Sequence, residues 1–176
     1  MRSTTRTVAR TVVGGVMTAL ALGAAVLPAA AAPAPDSAAI TNQLVAKTRA
    51  AVAKFHEVDA AVAAGYVPVG ECAESPDGAM GIHFMNPALI TPGVVDPARP
   101  PFLTYGPSTD GGLELWSAEF FEPEVGQPTP MYGGQAFDGP MPGHEPGMPT
   151  HYDLHVWVGT HNQAGLFAPW NPGLHC

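Results

Sequence analysis

The 176-residue sequence predicts an α+β domain: an N-terminal helix packed on a small, mostly antiparallel β-sheet, with long Pro/Gly-rich loops between elements. Three observations predict it. Apolar residues recur at helical spacing from Ser37 to Ala64, short apolar runs alternate with turns after Tyr66, and Pro and Gly are abundant throughout that second part.

The N-terminal stretch reads as sorting information. Arg2, Arg6 and Arg10 make a basic start, Val12 to Leu27 an apolar run, and Ala29 to Ala32 a small-residue cleavage pattern. Residues 1–32 therefore read as a secretory signal peptide and 33–176 as one domain, secreted or otherwise extracytoplasmic. A membrane anchor fits less well, because Gly14, Gly15 and Gly23 interrupt the run and Ala and Pro follow it in place of charged residues.

Cleavage leaves Lys47, Arg49, Lys54 and Arg99 against fifteen acids, a net charge of −11. Nucleic acid and anionic membrane are disfavoured partners, since both need clustered Lys and Arg. The 77 residues after Arg99 hold no cation, yet they carry eight carboxylates and five of the seven histidines: His144, His151, His155, His161 and His175. Such a surface grips phosphate poorly and suits a metal ion. The two cysteines, Cys72 and Cys176, are expected to pair in an oxidising compartment.

The elements follow in order. Ile40, Leu44, Val45, Ala51, Val52, Phe55, Val58 and Val62 make the apolar stripe of one helix over 37–64, capped by Asp36 or Ser37 and stopped by Gly65. His56 and Glu57 read as its solvated face. Strands are expected at Gly81–Met85, Phe102–Tyr105, Leu113–Phe121 and Tyr152–Val158. Turn chemistry at Pro107-Ser-Thr-Asp-Gly-Gly112 joins the second and third into a hairpin. Over half of segment 133–149 is Gly or Pro, which excludes helix or central strand and predicts a loop.

Alternation then places the chemistry. Read as a strand, the segment 151–159 puts His151, Asp153, His155 and Trp157 on one face and the apolar Tyr152, Leu154, Val156 and Val158 on the other, under the helix. Histidines four apart on a strand are separated by about 13 Å, whereas neighbours two apart, at about 7 Å, converge easily. Either His151 or His155 with Asp153 is thus a simpler pair than the two histidines alone. His83 lies on a second strand. Glu119 shares an alternating face with Leu113, Leu115, Ser117 and Phe121, a costly place for an acid unless it is paired or metal-bound.

These readings converge on His83, Glu119, His151 and His155 as ligands of one divalent transition metal, with Asp153, His144 and Glu145 in support. Imidazole with carboxylate suits zinc or iron, and Met80, Met85, Met141 and Met148 keep copper in view. Binding is expected to weaken as pH falls through about 6 to 7, where ordinary imidazoles protonate.

Three segments carry a resemblance. Ala79-Met-Gly-Ile-His-Phe-Met-Asn-Pro87, the run from Phe137 through Gly143-His-Glu-Pro-Gly-Met-Pro-Thr-His-Tyr-Asp-Leu-His-Val-Trp157, and Phe167-Ala-Pro-Trp-Asn-Pro172 resemble parts of a family of exported bacterial proteins of uncharacterised function. The resemblance covers most of the chain after the signal. It implies a shared fold and transfers no activity, cofactor or site.

No P-loop, dinucleotide fingerprint or Gly-x-Ser-x-Gly elbow is present. Two function classes stand: a metal-centred protein, either metalloenzyme or metal carrier, and a non-catalytic small-ligand or carbohydrate-binding module. In the second, Tyr132, Phe137, Trp157 and Trp170 would line the cleft. A metal-free hydrolase on Glu119 and Glu145 is a weaker third.

Overall fold

The computed structural model describes residues 35–176; the expected signal peptide, 1–32, lies outside the described residues. Helix α1 (Pro35–Val52) is followed by a tight 3₁₀ turn at Ala53–Phe55 and by α2 (Val58–Ala63). The single helix read over 37–64 is therefore broken, and Asp36 and Ser37 lie inside its first turn. Burial explains the break. It turns Phe55 inward against Tyr66, with ring centroids 5.3 Å apart, and frees the Phe55 carbonyl to accept the Tyr105 hydroxyl at 2.6 Å. His56 and Glu57 are exposed at this corner. Gly65 ends α2 at φ +96°, a conformation that favours glycine.

Eight strands follow: β1 (Val67–Ser75), β2 (Gly78–Met85), β3 (Phe102–Pro107), β4 (Leu113–Pro123), β5 (Met131–Tyr132), β6 (Gln135–Ala136), β7 (Asp138–Met141) and β8 (His151–Val156). Six of them form one antiparallel sheet in the order β1-β2-β3-β4-β8-β7, while β5 and β6 pair as a separate short hairpin. The β3–β4 hairpin turns where expected, with Ser108 N–H donating to the Gly112 carbonyl at 2.9 Å. Strand β1 escaped the sequence reading because Pro68 and Gly70 interrupt its alternation and most of its residues are exposed at the sheet edge. Segment 133–149 is not loop throughout. It supplies β6 and then β7, the opposite edge, where Pro140 has no ladder bond to lose.

The two faces of the sheet differ. On one, Phe84, Leu103, Tyr105, Leu115 and Ala118 pack against Val52, Phe55 and Ala61 of the helical segment. Farther along, Phe120, Tyr152, Leu154 and Val156 meet Val45 of α1, so the apolar set of β8 lies under the helix as its alternation predicts. Thr48, buried on α1, is hydrogen-bonded with the Tyr132 hydroxyl at 2.6 Å and donates to the Pro97 carbonyl at 2.8 Å, which pins the helix to the layer beneath.

Strict alternation puts Leu115 and Glu119 on one face, and the structure separates them. Tyr105 pairs with Leu115, but the next residue on β3, Thr104, pairs with Ser117, leaving Trp116 as an extra residue on β4. This bulge reverses the facing of the strand. Leu115 goes to the helix side; Ser117, Glu119 and Phe121 go to the other. The Trp116 ring lies across Gly106 and joins Ala79 and Trp157 in a second-face cluster covered by Leu166 and Leu174.

The C-terminal tail covers that face. Asn171 exchanges backbone hydrogen bonds with Ala79 at 3.1 and 3.2 Å, Trp157 Nε1 donates to the Ala168 carbonyl at 2.7 Å, and a Cys72–Cys176 disulfide anchors the end. His175 Nδ1 lies 2.9 Å from Glu74 beside it. Among the described residues no helix is long and apolar enough to cross a membrane.

Cys176→Ser is expected to lower stability by about 4–5 kcal/mol, the chain-entropy value for a loop near a hundred residues, read by urea unfolding against the oxidised wild type. Gly106→Ala sets a methyl carbon 1.9 Å from Trp116 Cζ2 and is expected to cost about 1–3 kcal/mol or more in the same measurement. Unchanged stability would mean that Trp116 can leave its place without loss.

Candidate metal centre

Three adjacent strands and β8 build the site on the second face. Glu119 of β4 has Phe102 of β3 on one side and His155 of β8 on the other as direct cross-strand neighbours. His83 of β2 pairs with Thr104, whose short side chain shares a 2.7 Å hydrogen bond with Ser117, and reaches across β3 to Glu119. His83 Nε2 lies 3.2 Å and His155 Nε2 3.9 Å from Glu119 Oε2. One ligand atom from each of the three residues falls within 4.8 Å of the others, and this His/Glu group could hold a metal ion.

The group is buried and poorly satisfied. Glu119 is 5 % and His155 1 % exposed. Among the described residues, Glu119 Oε2 and both ring nitrogens of His155 have no hydrogen-bond partner, the 3.2 Å approach of His83 being misaligned for one. Each such atom costs on the order of 1–3 kcal/mol when nothing replaces lost water. Aromatic packing holds the rings: His155 stacks on Trp157 at 6.2 Å and meets His83 edge-on at 5.7 Å.

Burial also decides the protonation states. It holds the Glu119 carboxyl well above the usual carboxylate range, with the charge of Asp153 adding to the effect. Burial, helped by His144, pushes His83 down to about 4; burial, then His83 and His144, push His155 down to about 3. At neutral pH the metal-free group thus holds two neutral imidazoles, ready as ligands, beside an acid whose burial favours its protonated form. The imidazole competition expected at pH 6 to 7 is displaced to stronger acid, while burial of Glu119 adds a proton competitor on the carboxyl side.

These residues open into a cavity of about 450 Å³. Asp153 and Asp138 lie on one side, Glu71 of β1 on another, and His144 and Glu145 reach in from the loop after β7. Glu145 closes against β1 because Gly70 has no side chain; a Cβ there would stand 2.6 Å from its Oε1. Met80, Met141 and Met148 add thioethers to the wall, while Met85 is not part of it. Among the described residues, no Lys or Arg lines the cavity.

The four expected ligands do not form one set. His151 lies on the same face of β8 as His155 but outside the three-residue group, stacked on Phe121 at 4.7 Å with its Nε2 3.6 Å from Asp153 Oδ2. The strand separates the two imidazoles, as its rise per residue requires. The aromatic cleft is also corrected: Tyr132, Phe137 and Trp157 are core residues, and Trp170 alone of the four reaches the cavity. Glu71 and Asp138 were missed in the sequence. The first sits on an irregular strand and the second in a segment read as loop, so no alternation marked either.

Compared with protein families, curated proteins and solved structures, the chain matches none.

The depressed imidazoles make acid stability a test. Unfolded histidine titrates near 6.5, so a folded value of about 3 for His155 contributes stability present above 6.5 and lost as pH falls toward 3. In chelator-treated protein, the wild type is expected to lose stability relative to His155→Gln over this range, by at most about 1.4 kcal/mol per pH unit. Urea unfolding between pH 7 and pH 4 measures the difference. Parallel curves would show that His155 protonates in the fold without penalty.

Proposed function

We propose that this is an exported metal-binding protein that holds one divalent transition-metal ion through His83, Glu119 and His155. One observation carries the reading: three ligand atoms from three strands converge in a buried place where Glu119 Oε2 and His155 Nε2 have no hydrogen-bond partner among the described residues. A tetrahedral ion with bonds of about 2.1 Å keeps its ligands about 3.4 Å apart. The 3.2 and 3.9 Å separations at Glu119 bracket that span.

Two imidazoles and one carboxylate suit zinc, iron or copper better than magnesium or calcium, which prefer oxygen. Three protein ligands leave coordination positions free, and the cavity beside them admits a small molecule. This favours an accessible ion over a closed structural one, whether as a Lewis acid or redox centre in a metalloenzyme or as cargo in a carrier. The carboxylates on the wall and the lack of cations disfavour anionic ligands. The basic, apolar and small-residue order of 1–32 and the disulfide support export and an extracytoplasmic location.

Calorimetric titration of Zn²⁺ into chelator-treated protein tests the reading. His155→Ala and Glu119→Gln are each expected to weaken binding about 100-fold or more, since each removes a direct ligand. Equal affinity in all three proteins, or none in any, would leave only a packing role for these side chains.

A further inference from the structure

His151 presents a second, separate problem of buried polarity. Its Nδ1 lies 3.0 Å from the Pro149 carbonyl. A carbonyl only accepts, so Nδ1 carries the ring proton in this contact, and the neutral ring presents an unprotonated Nε2. That nitrogen is buried, has no hydrogen-bond partner among the described residues, and lies 3.6 Å from Asp153 Oδ2. An unprotonated nitrogen and a carboxylate oxygen then lie close together in a buried place. A cation between them turns the repulsion into attraction.

Three further features agree. Histidines that bind metal donate their other ring N–H to a backbone carbonyl or carboxylate, and the Pro149 contact is of this kind. The ring is held in direction by stacking on Phe121 at 4.7 Å and 25°. Asp153 pairs across the strands with Asp138, a side-by-side placement of two acids that is unfavourable without a cation. His144, whose ring lies 5.4 Å from that of His151, lines the same cavity as both acids.

We infer that His151 and Asp153 form the core of a second metal site, with Asp138 or His144 drawn in as third ligand when the ion binds, so that the protein takes up two ions. Ligands of a tetrahedral ion sit about 3.4 Å apart. The 3.6 Å gap between His151 Nε2 and Asp153 Oδ2 is one that a single ion spans. Asp153, Asp138 and His144 line the cavity that His83, Glu119 and His155 also line, with His151 buried behind them; the two sites share no ligand atom, so either can fail alone.

The test is the number of zinc ions per chain after equilibrium dialysis of the disulfide-intact protein, counted by elemental analysis. Two are expected for the wild type, one for His151→Phe, one for His155→Ala and none for the double variant. Asp153→Asn keeps the shape of the side chain, and is expected to bind one ion with an unchanged circular dichroism spectrum; it carries the test if His151→Phe fails to fold. One ion in the wild type, kept in His151→Phe and lost in His155→Ala, overturns the second site and leaves the first standing. Two ions retained in both His151→Phe and Asp153→Asn overturn it as well, and no ion in the wild type removes both sites.

Discussion

Within the stretch of β4 that pairs with β3, from Leu113 to Glu119, Trp116 is the one residue without its own partner, and the two ends of the strand face opposite ways because of it. N-terminal to the bulge, Leu115 belongs to the apolar layer beneath the helices; C-terminal to it, Glu119 belongs to the other face. Without that reversal, Glu119 would point into the helix-side core among aliphatic and aromatic side chains, where no imidazole could meet it. The ring of Trp116 fills the space this creates, and Gly81 and Gly106 lie beneath it because a methyl at either would collide with it.

The second face becomes a site only because something covers it. An open antiparallel sheet commonly leaves one face in water, and polar residues there stay solvated. Here the tail from Trp157 to Cys176, bonded to β2 through Asn171 and linked to β1 by the disulfide, roofs one end. The loop after β7 brings His144 and Glu145 over the other. Covering removes water from His83, Glu119 and His155, and that desolvation lowers both histidines and raises the acid. The long-range link and the electrostatics of the site are parts of one arrangement.

A division of labour between the faces follows. The helix side is apolar apart from polar groups that find partners, as the Tyr105 hydroxyl does with the Phe55 carbonyl, Thr48 with Pro97 and the buried Glu122 carboxylate with the Gly93 N–H. The covered side keeps buried nitrogen and oxygen atoms unpaired at His151, His155 and Glu119. Native folds satisfy nearly all such atoms, so this concentration on one face distinguishes chemistry from packing.

By itself the sequence determined what depends on neighbours along the chain. Helical spacing marked the N-terminal segment, the Asp110-Gly-Gly turn marked the β3–β4 hairpin, alternation sorted β8 into an apolar and a polar face, and two solitary cysteines marked the disulfide. His83, Glu119 and His155 were legible as candidates for the same reason, being polar residues in strand-like runs. Only the tertiary structure decided which of them meet. The bulge at Trp116, the break at Phe55 and the irregular β1 have no periodic signature, because each is set by packing between segments distant in sequence. The separation of His151 from His155 likewise rests on how β7 and β8 pair and on what stacks against each ring, interactions across space that no local pattern encodes.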